Sequence, residues 1–531
     1  MNEQINQAPT ANQQIARAAG TVMAAFIISN LVGVIRGMVI TQAFGTSAEL
    51  DSFNAANRIA ELLFNLVAGG ALGSAFIPTF TGFLTRKDRQ GAWRLASGVV
   101  NLVLLALILI SILAWVFAPQ IVRHGLYVLA PDVHPGQEAL TISLLRIMLP
   151  SVAIFGVSGL IMGILNAHQV FLIPAIAPAM YSLGMILGTL LLPESWGIRR
   201  LAVGVVGGAL LHLLVQAPRL LKLPGRAYRF FLGWRDKAIM GVFRLMGPRL
   251  LGVAVVQINF IANTIIALGQ PEGSASAITL AFSLMLMPEM AVAQSAAIAS
   301  LPTFSAQVAR GELEEMRASL ATTLRSVLLL AIPASVGLIL LRVPLVQLLY
   351  QRGEFSARST QLVAWALLWY AVGLVGHALV EILSRAFYAL HDTRTPVTVG
   401  VVAMGLNVGL SLAFSALFTR LGWMPHGGLA LANSVATGLE SVALILLMRK
   451  RLKGIEGGTI WKGVGLSLLG TALMSAVVWG WEAIFAGRSV LLVVFGALGL
   501  GVAAYGGLMW ALKVPELRGM VRAMLGRIKR G

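Results

Sequence analysis

The chain has 531 residues, of which 57% are hydrophobic and only 11% are charged, whereas about 25% of the residues of a typical soluble protein are charged. So little polar surface cannot cover a water-soluble particle of this length, and the composition predicts a protein that crosses a membrane many times. The formal net charge of +19 lies mainly in short loops between apolar segments, which indicates membrane topology and argues against a nucleic-acid partner. The chain has no cysteine, which excludes disulfides and thiol catalysis.

Apolar segments bounded by glycine, proline or charged residues predict an all-α polytopic membrane protein with about 14 transmembrane helices. None of them has the alternating pattern and the length of about ten residues that a transmembrane strand shows. The first apolar run is too long for a cleavable signal peptide. In chain order, the predicted spans are 20–44, 56–81, 93–117, 139–165, 170–193, 200–218, 240–268, 274–304, 318–342, 359–389, 396–418, 427–448, 463–485 and 489–512.

The distribution of Lys and Arg predicts the orientation of these spans. An even number of spans places both termini on the same side of the membrane, and the loops on that side carry most of the cations, as in 86–94, 219–237 and 449–453. The positive-inside rule therefore predicts that both termini lie in the cytoplasm. The opposite loops hold only Arg123, Arg199, Arg200, Arg352, Arg358, Arg420 and Arg488.

Two pairs of similar segments indicate an internal duplication. SAFIPTF at 74–80 returns as IASLPTF at 298–304, and ILNAHQVFLIP at 164–174 returns as AFYALHDTRTP at 386–396. The paired prolines lie 224 and 222 positions apart, although a proline that follows a polar loop also recurs by chance. We predict two parallel six-helix repeats plus two extra C-terminal helices, an architecture typical of transporters with the substrate site between the halves.

This duplication predicts four regions along the chain. They are an N-terminal lobe at 1–222, a basic cytoplasmic linker at 223–239, a C-terminal lobe at 240–453, and the two extra helices with a basic tail at 454–531.

The sequence contains no P-loop, GxSxG or HExxH motif, and its seven histidines lack metal-ligand spacing. We therefore expect a transporter without catalytic residues, a metal or a cofactor.

Polar residues cluster in the first two spans, where each costs at least about 2.5 kcal/mol if it faces lipid at the helix centre. Positions 54, 57, 58, 61 and 65 lie on one face of a helix. We predict a cationic cavity for an anionic headgroup, in which Arg36 and Arg58 donate paired hydrogen bonds to phosphate. The alternative is that Arg36 pairs with Asp51, and Arg58 with Glu61 at i+3. The candidate substrate-binding residues are Asn30, Arg36, Asp51, Asn57, Arg58 and Glu61.

The second half contains fewer charged residues within its spans. Arg325, Glu381 and Arg385 form a sparse group, in which the i, i+4 spacing of the last two predicts a salt bridge. Three amides, Asn263, Asn407 and Asn433, are candidates for an ion site built from neutral oxygen atoms. The alternative is that they form interhelical hydrogen bonds.

Several long segments resemble one family. At LSRAFYALHDTRTPV (383–397) the sequence resembles the MurJ (MviN) lipid II flippases of the MOP exporter superfamily, and the similarity covers spans 1 to 12. The resemblance implies a V-shaped, two-lobed bundle in the bacterial cytoplasmic membrane that moves undecaprenyl-pyrophosphate-linked muropeptide (lipid II) from the inner to the outer leaflet by alternating access. It also implies membrane lipids and cell-wall synthesis proteins as partners. The supporting segments are GVIRGMVITQAFGTSAELDSF (33–53), AGGALGSAFIP (68–78), LRIMLP (145–150), GILNAHQVFLIPAIAP (163–178), LLYQRGEFSARSTQLVAWAL (348–367) and GGLALANSVA (427–436).

The resemblance assigns roles to individual positions. The second arginine of the family's first helix matches Arg36, the aspartate after that helix matches Asp51, and a basic residue early in the second helix matches Arg58. Other charged positions of the family are occupied by different residues here. An earlier arginine of the first helix falls on Asn30, one of the second helix falls near Phe64, the arginine and glutamate of the eighth helix fall on Ser283 and Leu286, and two sodium-site carboxylates fall on Asn263 and Ser411. The identity of a coupling ion therefore stays open.

Three other functions, two of them transport functions, are consistent with the sequence. A transporter of another lipid-linked glycan, or a MATE-like exporter of cationic drugs, would share the architecture, but drug export predicts an acidic cavity. A scaffold without transport activity, which recruits cell-wall synthesis enzymes through its basic loops, would account for the uncharged Ser283 and Leu286.

Overall fold

The computed structural model describes residues 11–67, 70–130 and 135–516, and every regular element in these ranges is a helix. This confirms the predicted all-α class. Short π-helical turns cover Ile121–Leu126 and Met290–Gln294, and a 3₁₀ turn covers Glu194–Trp196. The α-helices are α1 (Ala11–Phe44), α2 (Ala48–Val67), α3 (Gly70–Thr85), α4 (Arg89–Val116), α5 (Ala118–Gln120), α6 (Pro135–Ala167), α7 (Leu172–Leu191), α8 (Arg199–Leu214), α9 (Ala217–Leu221), α10 (Lys237–Leu268), α11 (Ser274–Glu289), α12 (Ser295–Ala309), α13 (Leu313–Tyr350), α14 (Ala357–Ala389), α15 (Arg394–Arg420), α16 (His426–Arg451), α17 (Gly457–Ile484) and α18 (Val490–Ala511).

Each predicted span coincides with one helix or with two consecutive helices. Eleven helical segments of the described ranges are long and apolar enough to cross a membrane. Shorter apolar stretches lie at Ile28–Phe44 in α1, Ala75–Thr85 in α3 and Val253–Leu268 in α10. The chain is therefore a multi-pass membrane protein, and the exact number of 14 spans stays a prediction.

The predicted span 274–304 is interrupted, since it forms α11, a π-helical turn and α12. The predicted span 56–81 covers α2 and α3, which lie on either side of residues 68 and 69, and those two residues lie outside the described ranges. Pro288 lies two residues before that π-helical turn. Because proline lacks an N–H and its ring clashes with the carbonyl one turn earlier, it disturbs the regular hydrogen-bond ladder at this point.

The backbone also repeats at the two offsets predicted from the prolines. Lys87 (φ 61°) and Gly311 (φ 77°) have left-handed conformations 224 positions apart, and Gln169 (φ 59°) and His391 (φ 58°) have them 222 positions apart. The hydrogen bonds of each turn match as well, since Lys87 N–H donates to the Leu84 carbonyl at 2.9 Å and Gly311 N–H donates to the Val308 carbonyl at 3.0 Å. Turns of this left-handed type end many helices, so the matching offsets agree with the duplication, which stays a prediction.

The helices group into two compact units, the first of which is Met1–Gly269. In this unit α7 packs between α1 and α8, and α6 packs on α2, α4 and α8. Helix α10 packs on α2 and α3, and its Ile239, Val242 and Met246 are buried in one hydrophobic cluster with Phe80 and Trp93. The sequence prediction placed residues 240–453 in one lobe, whereas the compact unit extends through α10.

Hydrogen bonds between α4 and the basic linker explain why α10 belongs to the first unit. The buried Asn101 of α4 donates to the carbonyl oxygens of Arg229 (3.2 Å) and Phe231 (2.9 Å). Asp236 accepts from Ala238 N–H at the start of α10 and pairs with Arg94 of α4 at 3.1 Å. These contacts fix the start of α10 beside α4.

The second compact unit is Gln270–Gly531, and α14 packs there on α11, α12, α13 and α16. The two extra C-terminal helices, α17 and α18, pack on α13. Tyr505 of α18 donates its hydroxyl hydrogen to the Leu329 carbonyl of α13 at 2.5 Å, and Met474 of α17 is buried in the same cluster. Helices α17 and α18 are thus integral parts of this unit.

The crossing of α7 and α8 depends on glycines. A Cβ atom built on Gly208 of α8 would lie 2.5 Å from the carbonyl oxygen of Tyr181 on α7, and one built on Gly188 would lie 2.5 Å from the Cα atom of Gly204. Helices approach this closely only where the side chain is a hydrogen atom. In contrast, a Cβ atom on the adjacent Gly207 would have no neighbour within 4 Å.

We therefore expect Gly208→Ala to destabilise the protein and Gly207→Ala to leave its stability unchanged. The added methyl group of Gly208→Ala has to displace the α7 backbone, a distortion that costs about 1–3 kcal/mol. The measurement is the Tm of each purified variant in detergent, with Gly207→Ala as the matched control. Equal Tm values for the two variants would contradict the close helix crossing.

Candidate functional site

Arg36 lies where α1 packs against α7. The Arg36 Nη1 atom donates a hydrogen bond to Ser182 Oγ on α7 at 3.4 Å. Two turns earlier on α1, Ser29 Oγ donates to the Ala175 carbonyl of α7 at 2.9 Å. Residues 29 and 36 lie on one face of α1 because seven residues make about two helical turns. Arg36 is half-buried, and a long hydrogen bond to an uncharged hydroxyl group holds it against α7.

A second group on α2 surrounds Arg58. Arg58 Nη1 lies 2.9 Å from Glu61 Oε2, which confirms the i+3 pair that was the alternative interpretation for this residue. Asn57 Nδ2 donates to the other carboxylate oxygen of Glu61 at 2.8 Å. The Arg58 guanidinium also lies over the Phe260 ring of α10, with its Cζ 4.9 Å from the ring centroid. Arg58 is thus held from two helices while 23% of its side chain stays exposed.

Tyr181 of α7 connects these two groups electrostatically. Its hydroxyl is within reach of the charges of both Glu61 and Arg36. Tyr181 precedes Ser182, the hydrogen-bond partner of Arg36, in the same helix. Arg36 and Glu61 therefore both lie near Tyr181, and the polar cavity expected around Arg36, Asn57, Arg58 and Glu61 stays a prediction.

Asp51 lies in a different environment. It is buried in the first turn of α2 near Tyr127, whose hydroxyl is 2.9 Å from Thr141 Oγ1. Burial raises the pKa of Tyr127, and the charge of Asp51 adds to this effect. The pairing of Arg36 with Asp51, which is the alternative interpretation for Arg36, stays a prediction. Asn30 is exposed on α1.

In the second unit the predicted charged group is divided. Arg385 Nη2 lies 2.7 Å from Glu381 Oε1 within α14, which confirms the predicted i, i+4 pair. Arg325 of α13 instead pairs with Glu516, at 2.9 Å from Nε to Oε1. This pair connects α13 to the residues that follow α18, and it gives Arg325 a local structural partner.

The three amides predicted to form an ion site are divided between the units. Asn263 of the first unit donates to the Asn259 carbonyl at 3.0 Å within α10. In the second unit, Asn433 Oδ1 of α16 lies 3.0 Å from His377 Nε2 of α14, and Asn407 is buried in α15. The described residues contain no group of three or more His, Asp and Glu that could hold a metal ion. The ion site stays a prediction.

Tyr181, Ser182 and Phe260 also lie at these contacts, and the sequence does not predict them. Ser182 contacts a residue 146 positions away, and a serine in an apolar helix gives no sign of such a partner. Phe260 gives a weak signal, since it lies one turn from Asn263 on the same helix, where polar residues mark an inward face.

Comparison with known proteins identifies the family. The sequence profile of the family described as Lipid II flippase MurJ matches residues 40–498. The chain belongs to the MurJ family. The Lipid II flippase MurJ of Burkholderia cenocepacia is 31% identical over 476 residues, which cover 88% of this chain and 90% of that protein. The Probable lipid II flippase MurJ of Vibrio cholerae is 28% identical over 511 residues, which cover 93% of this chain and 96% of that protein.

Solved structures show the same fold. A lipid II flippase MurJ in an inward closed conformation superimposes with a TM-score of 0.78 at 23% identity, over 94% of this chain and 99% of the other. An inward-facing multidrug resistance MATE transporter of the MOP superfamily superimposes with a TM-score of 0.69 at 15% identity, over 82% of this chain and 98% of the other. This chain therefore shares its fold with both of these proteins.

Proposed function

We propose that this chain is a lipid II flippase that moves undecaprenyl-pyrophosphate-linked muropeptide from the inner to the outer leaflet of the bacterial cytoplasmic membrane. The observation that carries the proposal is the cationic group on α1 and α2, Arg36 and Arg58, in a chain whose profile match to the MurJ family covers residues 40–498. Arginine keeps its charge in a membrane and presents paired donors that fit a phosphate.

The contacts of these arginines suggest how the headgroup binds. Ser182 accepts a long hydrogen bond from Arg36 and is uncharged, so it competes only weakly with an incoming phosphate oxygen for the guanidinium. Glu61 neutralises Arg58, and Asn57 would keep its hydrogen bond to that carboxylate when a phosphate binds Arg58. The site thus exchanges one anionic partner for another and avoids leaving a bare charge within the membrane.

This group on α1 and α2 suits an anion better than a cationic drug, which would need a free carboxylate at the same place. In the first unit Glu61 is already engaged by Arg58 and Asn57. We propose that transport follows alternating access between the two predicted lobes, with no covalent bond made or broken. The chain's partners are then lipid II, the surrounding membrane lipids and proteins of cell-wall synthesis.

A depletion experiment tests this function. A bacterium whose own flippase is depleted expresses this chain, and the lipid II that reaches the outer leaflet is measured together with growth. We expect growth to be rescued and outward lipid II to be restored. Stable expression without either effect would refute the proposal and favour a scaffold. Restored outward transport of another lipid-linked glycan would identify a different substrate.

The proposed orientation places both termini in the cytoplasm. Because the chain lacks cysteine, single cysteines can report exposure at Gln90, Lys450 and Glu272, which are all exposed residues outside the apolar parts of the helices. We expect cysteines at 90 and 450 to be shielded from an impermeant maleimide in intact cells and the cysteine at 272 to be labelled. All three should react after permeabilisation. Labelling at 90 in sealed cells would overturn the orientation.

A further inference from the structure

Phe260 of α10 contacts the charged group of Arg58. The Arg58 Cζ lies 4.9 Å from the centroid of the Phe260 ring, a distance at which the negative face of an aromatic ring attracts a cation. The contact lies where α10 packs on α2, so it joins the helix that follows the basic linker to the helix that carries Arg58.

The geometry of arginine makes such a contact useful. A guanidinium has five N–H donors, all of which lie in its plane. The Glu61 carboxylate occupies Nη1, and the aromatic ring accepts none of the remaining donors in a conventional hydrogen bond. A ring contact therefore restrains the position of the cation and leaves donors for a further acceptor.

The restraint on the Arg58 guanidinium matters most when a phosphate replaces Glu61 as its anionic partner. If Arg58 were held by Glu61 alone, a phosphate that displaced Glu61 would also remove the contact that orients Arg58. Phe260 is uncharged and does not compete for the anion, so it keeps the guanidinium in place during the exchange. Asn57 restrains Glu61 in the same step through its 2.8 Å hydrogen bond.

We propose that Phe260 is a positioning residue for diphosphate binding, which holds the Arg58 guanidinium by a cation–π contact and leaves its free donors to the pyrophosphate of the lipid. This inference rests on the proposed function and deepens it, because it names the chemical group that Arg58 receives. The competing explanation is that Phe260 only fills space between α2 and α10.

Fluorination of the ring separates these explanations. Fluorine atoms withdraw electron density from the face of the ring and weaken cation–π attraction step by step, with little change in ring volume. Phe260 is replaced in the full-length protein by mono-, di- and trifluorophenylalanine through nonsense suppression. The Kd for undecaprenyl pyrophosphate is then measured in nanodiscs of uncharged lipid. We expect each fluorine to weaken binding and the trifluoro variant to bind about tenfold more weakly than the parent.

Two controls complete the experiment. The same series at Phe243, an α10 residue whose ring packs against the hydrophobic cluster, should leave the Kd unchanged. Phe260→Tyr keeps an aromatic face and should retain binding, whereas Phe260→Leu should match the trifluoro variant. The Tm should stay constant across the fluorinated proteins.

The outcomes distinguish this inference from the proposed function. A Kd that rises with fluorination at 260 and depends on Arg58 supports the positioning role. A flat series in a protein whose binding is lost in Arg58→Ala shows that Phe260 only packs, while the function stands. Binding that is unchanged in Arg58→Ala overturns the inference together with the proposed role of Arg58.

Discussion

Arg36→Ala is expected to abolish lipid II transport while the protein still inserts and accumulates in the membrane. The alanine removes a charged donor pair from a site where water is scarce, and a charge-assisted hydrogen bond of this kind contributes about 1.5–3 kcal/mol, which is roughly ten- to a hundredfold in binding. The loss of structure should be small because the described partner of Arg36 is a single serine at 3.4 Å. The measurement is outward lipid II in depleted cells, normalised to the amount of folded protein.

Three variants test whether this effect is due to phosphate binding. Arg36→Lys keeps the charge but offers one ammonium group, so we expect partial activity. Ser182→Ala removes only the hydroxyl that accepts from Arg36 and should reduce transport far less than Arg36→Ala. In Arg36→Gln with Asp51→Asn both charges are neutralised, and we expect no transport. If that double variant transports normally, Arg36 serves only to balance Asp51.

The helices could be predicted from the sequence for a simple reason. In the hydrocarbon core each backbone N–H and C=O needs a partner within the segment, so an apolar run of sufficient length has to be helical. The prolines at 78 and 302 and the polar turns after them also predicted the duplication, because a turn geometry depends on local residues. The left-handed turns at Lys87 and Gly311 lie at the same offset as these prolines.

In the site, a contact within one helix could be predicted from the sequence, whereas contacts between helices could not. The pair of Arg58 and Glu61 follows from i, i+3 spacing on one helix, and the structure contains it. The contacts of Arg36 with Ser182 and of Arg58 with Phe260 join different helices, and no spacing rule relates such residues.

The position of α10 shows a further limit of sequence analysis. The composition of the basic linker predicts a loop, but it does not predict which unit the following helix packs against. Three apolar residues of α10, Ile239, Val242 and Met246, decide this by joining the cluster of the first unit. Phe260 reaches Arg58 only because of that packing.

Removal of Arg58 should affect both transport and stability, and a second substitution should separate the two effects. Arg58→Ala leaves the Glu61 carboxylate with the hydrogen bond from Asn57 but without a cation. Breaking a fully buried pair in this way costs about 3–5 kcal/mol, and the 42% exposure of the Glu61 side chain places the expected loss below that range. We therefore expect Arg58→Ala to lower the Tm and to abolish transport.

In Arg58→Ala with Glu61→Gln the unpaired charge is absent, so the Tm should return close to that of the parent protein. Transport should stay absent, because the donor to the pyrophosphate is still missing and a neutral glutamine cannot replace it. Glu61→Gln alone removes the anion that competes for Arg58, and it should bind undecaprenyl pyrophosphate more tightly than the parent while releasing it more slowly. If the double variant regained transport together with stability, Arg58 would act only as the counter-ion of Glu61, and recognition of the pyrophosphate would depend on Arg36 alone.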